Sequence, residues 1–151
     1  MSWIKITERN LAKYQAGGFV DAYKSAALND STLEPLEAVI ASTVNKIRGY
    51  IKTGRYAVDR DPVKIPEELE NDALAMIVAV AKPRIYQELT QTESANLSDA
   101  MQTMRDIAAK KFDVSTPEDP EPAAATTQSS GGCQLVRPAR GVPQRSDYNG
   151  L

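Results

Sequence analysis

Leu36-Glu-Ala-Val-Ile40-Ala-Ser-Thr-Val44-Asn-Lys-Ile47-Arg-Gly-Tyr-Ile51 is the stretch that settles the fold class. Leu36, Val39, Ile40, Thr43, Val44, Ile47, Tyr50 and Ile51 recur at i, i+3, i+4 and i+7 over more than four helical turns. Glu37, Ser42, Asn45, Lys46, Arg48 and Lys52 fall to the opposite, polar face. That spacing predicts an amphipathic α-helix, because a strand would alternate with period two. Asp30, Ser31 and Thr32 offer N-caps, Ser31 and Glu34 have capping-box spacing, and Gly54 stands where a left-handed C-terminal residue belongs. The helix is expected over roughly residues 32–53, with Pro35 in its first turn.

Working outward, Pro66 followed by Glu67 and Glu68 has the order of an N1 proline and first-turn acids, and opens a second helix expected to reach Leu89. Its centre, Ala73-Leu-Ala-Met-Ile-Val-Ala-Val-Ala81, is apolar on every face. Neighbours must therefore surround it, from this chain or from other subunits, and Met76, Ile77, Val78 and Val80 are the packing residues singled out. Pro83 lacks the donor for Ala79 and predicts a kink. After a polar connection from Thr90 to Asn96, Leu97, Met101, Met104, Ile107 and Ala108 form the stripe of a third helix. Lys110 and Lys111 complement its C-terminal dipole, and Phe112 or Val114 is expected to close the core. Upstream, Thr7–Gln15 and Phe19–Leu28 read as two short helices, with Leu11, Phe19, Tyr23 and Leu28 inward and Trp3, Ile4 and Ile6 as a short extended lead. No alternation is long enough for a sheet. The fold class is all-α: a small helical bundle over residues 1–114, with a long extended C-terminal arm.

The arm, residues 115–151, sets Pro117, Pro120 and Pro122 among Glu118, Asp119 and Glu121, and then runs through Ala-, Thr-, Ser- and Gly-rich sequence. It holds few apolar side chains to offset the entropy of ordering a backbone, so it is expected to order only on a partner. Its far end carries Arg137, Arg140, Arg145, Tyr148 and Leu151, a set suited to docking on protein. Thirty-seven residues can reach at most ~120 Å.

Composition excludes several classes of function. The net charge is −2, and residues 1–114 hold 15 basic and 16 acidic side chains, so the body lacks the basic footprint of a nucleic-acid binder. With no histidine and a single cysteine, Cys133, the usual catalytic triads, His metal sites and an intrachain disulfide are ruled out. Glu67, Glu68, Glu70 and Asp72 are the densest carboxylates, but a helix N-terminus makes capping the better reading than acid–base work. Asp59 and Asp61 could hold a cation, yet two loop carboxylates ordinarily make a solvated turn. The loop 54–65 is long for a helix–helix connection, and Arg55, Tyr56, Arg60 and Lys64 make it a candidate contact surface, diluted for nucleic acid by the two aspartates. No cofactor or metal site and no enzymatic activity is predicted. The longest apolar run is far shorter than the ~20 residues that span a bilayer, so no membrane partner is predicted and synthesis in the cytoplasm is expected.

The order of these features resembles a known family. The helix running Glu37–Ile51 through Arg48-Gly-Tyr, then Gly54-Arg-Tyr, Ile65-Pro-Glu-Glu-Leu69, the apolar helix, and Asp99-Ala-Met-Gln-Thr-Met-Arg-Asp-Ile-Ala108 is similar to the head-tail connector proteins of tailed bacteriophages, also called adaptor or head-completion proteins. The likeness covers roughly residues 7–114, and the basic arm ending in Asp-Tyr-Asn-Gly-Leu151 is similar to arms of such proteins. Lys110-Lys111 departs from the small residue or Gly common there, which would lengthen the last helix. The resemblance implies a structural virion protein of the neck, made in the host cytoplasm. It implies a homo-oligomeric ring, typically of twelve copies, beneath the portal protein, which extends the DNA channel and meets a tail or stopper protein. Double-stranded DNA would pass through its lumen without specific contact during ejection. The competing reading is a monomeric helical binding or regulatory module whose tail folds on one protein partner.

Overall fold

The computed structural model describes residues 2–15 and 18–122. Five α-helices among them make the body: α1 (Glu8–Tyr14), α2 (Phe19–Asn29), α3 (Leu36–Thr53), α4 (Glu70–Arg84) and α5 (Gln91–Ala108). Two three-residue strands, β1 (Trp3–Lys5) and β2 (Lys64–Pro66), complete it with a 3-10 turn at Glu67–Leu69, so that α4 opens at Glu70 and not at Pro66. The all-α class holds. α4 packs on α5, both pack on α3, and α1 and α2 cover the flank. The core runs through Leu11, Tyr23, Ile47, Ile51, Ile65, Leu69, Ile77, Met104 and Ile107, all buried. Tyr23 keeps its polar end satisfied there by donating its hydroxyl to the Glu34 carbonyl at 2.7 Å.

The extended lead is a true strand. β1 pairs antiparallel with β2, Trp3 opposite Pro66 and Lys5 opposite Lys64. Three residues are too few for alternation to register, and the partners are some sixty positions apart, so the sheet is invisible to a local pattern. α3 begins at Leu36 rather than near residue 32, because Pro35 occupies its N-cap and the Ser31–Glu34 box does not form. Asp30 instead accepts from the Thr32 hydroxyl and N–H, which hold its carboxyl below the usual carboxylate range. α4 stops at Arg84, not Leu89: Pro83 falls in its last turn and ends it rather than bending it. α5 starts six residues before the expected stripe, on a capping box in which Thr90 accepts from the Glu93 N–H and Glu93 accepts from the Thr90 N–H. Leu28 is 88% exposed and Phe112 lies at the surface, so neither joins the core; Val114 packs against it.

Gly54 has a different use from the one its position suggests. Its φ is −69°, right-handed, and Arg55 takes the left-handed conformation instead at φ 61°. What requires glycine is proximity: a Cβ at residue 54 would lie 2.3 Å from the Ile107 carbonyl oxygen, where the ends of α3 and α5 meet. Gly49, mid-helix, has nothing within 4 Å of a Cβ. Gly54→Ala should therefore cost at least ~2 kcal/mol of unfolding free energy in urea. Gly49→Ala should gain about 0.5–1 kcal/mol from helix propensity. Equal effects at the two sites would refute the close-approach account.

Candidate interaction surface

The loop between α3 and β2 is built around one buried cation. Arg48, placed on the polar face by sequence, is 6% exposed. It reaches across the loop to donate to the carbonyls of Asp59 (2.6 Å), Lys64 (2.8 Å) and Asp61 (3.1 Å), and its guanidinium lies 5.9 Å from the Trp3 ring centroid. Arg48 is four residues past Val44 and three before Ile51, at the edge of the apolar stripe, and its burial rests on the loop that folds over it. The two aspartates that could have held a cation serve turns instead. Asp59 accepts from the Asp61 N–H at 2.9 Å, and Asp61 from the Val63 N–H at 3.1 Å. Among the described residues no group of three acidic, Cys or His side chains could hold a metal ion.

The loop candidates separate in space. Arg55 is exposed at the left-handed end of α3, and Tyr56 donates its hydroxyl to the Phe112 carbonyl, tying the loop to the segment after α5. Lys64 sits half-buried in β2. Arg60 is met by a segment assigned to the arm. Ser115–Glu121 lies along the loop as a strap: the Arg60 N–H donates to the Asp119 carbonyl at 2.8 Å, and the Glu121 N–H to the Val58 carbonyl at 2.7 Å. Asp59 and Pro120 thus face each other as an antiparallel bridge. Arg60 pairs with Asp119 and Lys52 with Glu121. The compact body therefore extends to Glu121, past the expected boundary at 114. The acidic Pro-rich stretch, expected to order only on a partner, lies against the basic loop of its own body.

The acidic group at the start of α4 is similarly occupied. Ser2 donates to Glu67, Asn10 to Glu70, and Glu68 takes both the N–H (2.7 Å) and the hydroxyl (2.6 Å) of Ser115, while Trp3 donates its indole N–H to the Ser115 carbonyl. Burial pushes the Asp72 carboxyl up, and Asp99 adds to it. These carboxylates join chain segments to the helix, the work that a dipole-favoured N-terminus does best.

Along α4, Met76, Ile77 and Val78 are buried, but Val80 is 41% exposed. The helix is thus covered on all sides only from Ala73 to Val78. Val80 borders a trough of about 420 Å³ between α3, α4 and α5, walled by Val39, Met76, Leu97 and Met101 with Lys46 and Arg84 at its rim. At the end of α4, Lys82 and Glu93 form a largely buried ion pair at 2.5 Å, with Gln15 donating to the same carboxylate at 2.8 Å. Burial works against the Glu93 charge, yet the Lys82, Thr90 and Gln15 donors together lower its pKa to about 2. Sequence reasoning missed this pair; the Thr90-x-x-Glu93 box was its only local signal.

No protein family, no curated protein and no solved structure matches the chain. Arg137, Arg140, Arg145, Tyr148 and Leu151 lie outside the described residues. Among the described residues no helix is long and apolar enough to cross a membrane.

Arg48→Met should take the side-chain donor from the Asp59 and Lys64 carbonyls, leaving Asp61 only the Lys64 N–H, and cost about 3 kcal/mol in urea unfolding, with Arg48→Lys recovering only part, since a point charge cannot span the three. A stable Arg48→Met protein would refute the organising role. For Glu93 the folded pKa lies below the ordinary value of 4.5. Its contribution is therefore complete above pH ~4.5 and is lost as pH falls through the range toward 2. Glu93→Gln should be less stable at pH 7 by about 2–3 kcal/mol. The gap should close between pH 4.5 and 2 in parallel melts; a pH-independent gap would show that the ion pair is not its source.

Proposed function

We propose that this chain is a structural protein of the bacteriophage neck, assembling as a ring beneath the portal protein, continuing the DNA channel and joining head to tail. The observation that carries the reading is the incomplete cover of α4. A helix that is buried on every face from Ala73 to Val78 and then open at Val80, beside the trough walled by Met76, Leu97 and Met101, supplies a face that a neighbouring copy can close. The employment of the carboxylates supports a non-enzymatic part. Glu67, Glu68 and Glu70 hold neighbouring segments in place, and the two loop aspartates hold turns. In this reading Arg137, Arg140 and Arg145 pair with portal carboxylates, Tyr148 and Leu151 anchor the arm, and a tail or stopper protein meets the opposite side of the ring. About twelve copies surround DNA that passes without specific contact, as the resemblance implies.

Val80→Glu tests the reading, because an already exposed site accepts a charge without unfolding. The variant should keep its helical circular dichroism and lose at least tenfold in incorporation into phage particles. Removing residues 136–151 should likewise leave the body folded and abolish incorporation. Particles that take up both variants at the normal level would rule out the neck assignment in favour of a module with a different partner.

A further inference from the structure

The strap Ser115–Glu121 follows directly on the turn that ends α5. α5 ends in a Schellman turn: the Lys111 N–H donates to the Asp106 carbonyl at 2.7 Å and the Lys110 N–H to the Ile107 carbonyl at 3.0 Å. The left-handed position of such a turn ordinarily holds glycine, yet here it is Lys110, at φ 59°. Nothing else in the local sequence stops the helix. Ala108-Ala-Lys-Lys-Phe112 contains no Gly or Pro, and the next proline is Pro117. The helix is halted by a strained residue, and the strap lies immediately beyond it.

The strap's seat belongs wholly to the body on the other side of that hinge. Val58 and Arg60 supply the backbone pairing, Lys52 and Arg60 the cations, and Glu68 and Trp3 the side chains that hold Ser115. Both cation pairs are solvent-exposed, so each holds the strap only weakly. A strap arriving from a second copy would make every one of these contacts unchanged. Straightening α5 through Lys110 would also remove the left-handed strain and redirect the chain that leads to Ser115.

We infer that Ser115–Glu121 exchanges between copies of this chain: when copies associate, α5 extends through Lys110 and the strap of one copy pairs with Val58–Arg60 of the next. The second copy is favoured over any other acidic peptide because the seat already fits this segment in backbone register and in charge. The inference shares with the neck reading only the premise that copies meet, and it is testable in the purified chain without portal or particles.

Two single-cysteine proteins, Arg60→Cys and Asp119→Cys, both with Cys133→Ser, are unfolded, mixed in equal amounts, refolded at high concentration and oxidised. Both positions are well exposed, with side chains 65% accessible, and they face each other across the strap. Exchange predicts a disulfide-linked heterodimer at least fivefold in excess over either homodimer. Lys110→Gly in both proteins, by relieving the strain of the closed form, should lower that yield about fivefold. The double variant Arg60→Cys/Asp119→Cys, refolded dilute, should close within one chain. No heterodimer excess in any oligomer fraction, or a yield insensitive to Lys110→Gly, overturns the exchange. Failure of the dilute double variant to close overturns the seat itself. Neither result depends on particle incorporation, so the neck reading stands or falls separately.

Discussion

The Arg48 guanidinium supplies donors to three loop carbonyls that no helix or sheet serves, and most of one end of the molecule follows from it. A ten-residue connection between a helix and a strand has backbone groups that must be paired somewhere. Arg48 pairs them from below, which lets Asp59 be buried and brings β2 into line with β1. Trp3 closes the other side of the same cation, and its indole N–H then reaches Ser115. Loop, ribbon and strap are thus successive layers on one buried charge. Planar donors in a fixed fork make this an arginine's task, since an ammonium would serve the carbonyls poorly.

The three core helices share a way of stopping. Arg55, Tyr86 and Lys110, the non-glycine residues with positive φ among those described, each follow the end of α3, α4 or α5. Left-handed backbone costs about 1–2 kcal/mol for an L-residue, so tertiary contacts must maintain each stop. After α3 the hold is the Arg48 loop. Beyond α4, Pro83 has already removed the next donor and Arg84 pairs with Glu34. After α5 the hold is the strap, whose surface pairs are weak. The C-terminal side of the body is consequently the end whose arrangement is easiest to change.

Chemistry and architecture point the same way on function. Carboxylates at the start of α4 and in the loop are engaged as acceptors for Ser2, Asn10, Ser115, Asp61 and Val63. The most buried charge pair among the described residues, Lys82–Glu93, joins α4 to the first turn of α5. Buried pairs of this kind are poor sources of net stability but hold elements in a single register. Uncovered apolar surface lies where α4 leaves its cover, at Val80. The open apolar face and the commitment of these carboxylates to the chain's own segments are the two features on which the assembly proposal rests.

The helices were legible from residue order alone. The 3.6-residue stripe of Leu36 to Ile51 and the apolar run Ala73–Ala81 identify α3 and α4, because periodic burial is written directly in spacing. The buried faces of Leu11, Phe19 and Tyr23 follow from the same rule. Harder to read were the ends: Thr90–Glu93 announces α5, yet its polar first turns hide the helix behind the look of a loop. Invisible locally were the contacts between distant positions: β1 on β2, Gly54 against the Ile107 carbonyl, Lys82 with Glu93, and the strap on Val58–Arg60. What the sequence by itself determined was the all-α class and which helix faces turn inward, since these depend on neighbours one to four residues away. Only the tertiary structure decided that Arg48 is buried, that Gly54 is needed for space rather than for φ, and that the acidic stretch lies on the body. Each of those rests on a carbonyl or a charge brought near by the chain's return, which no local period encodes.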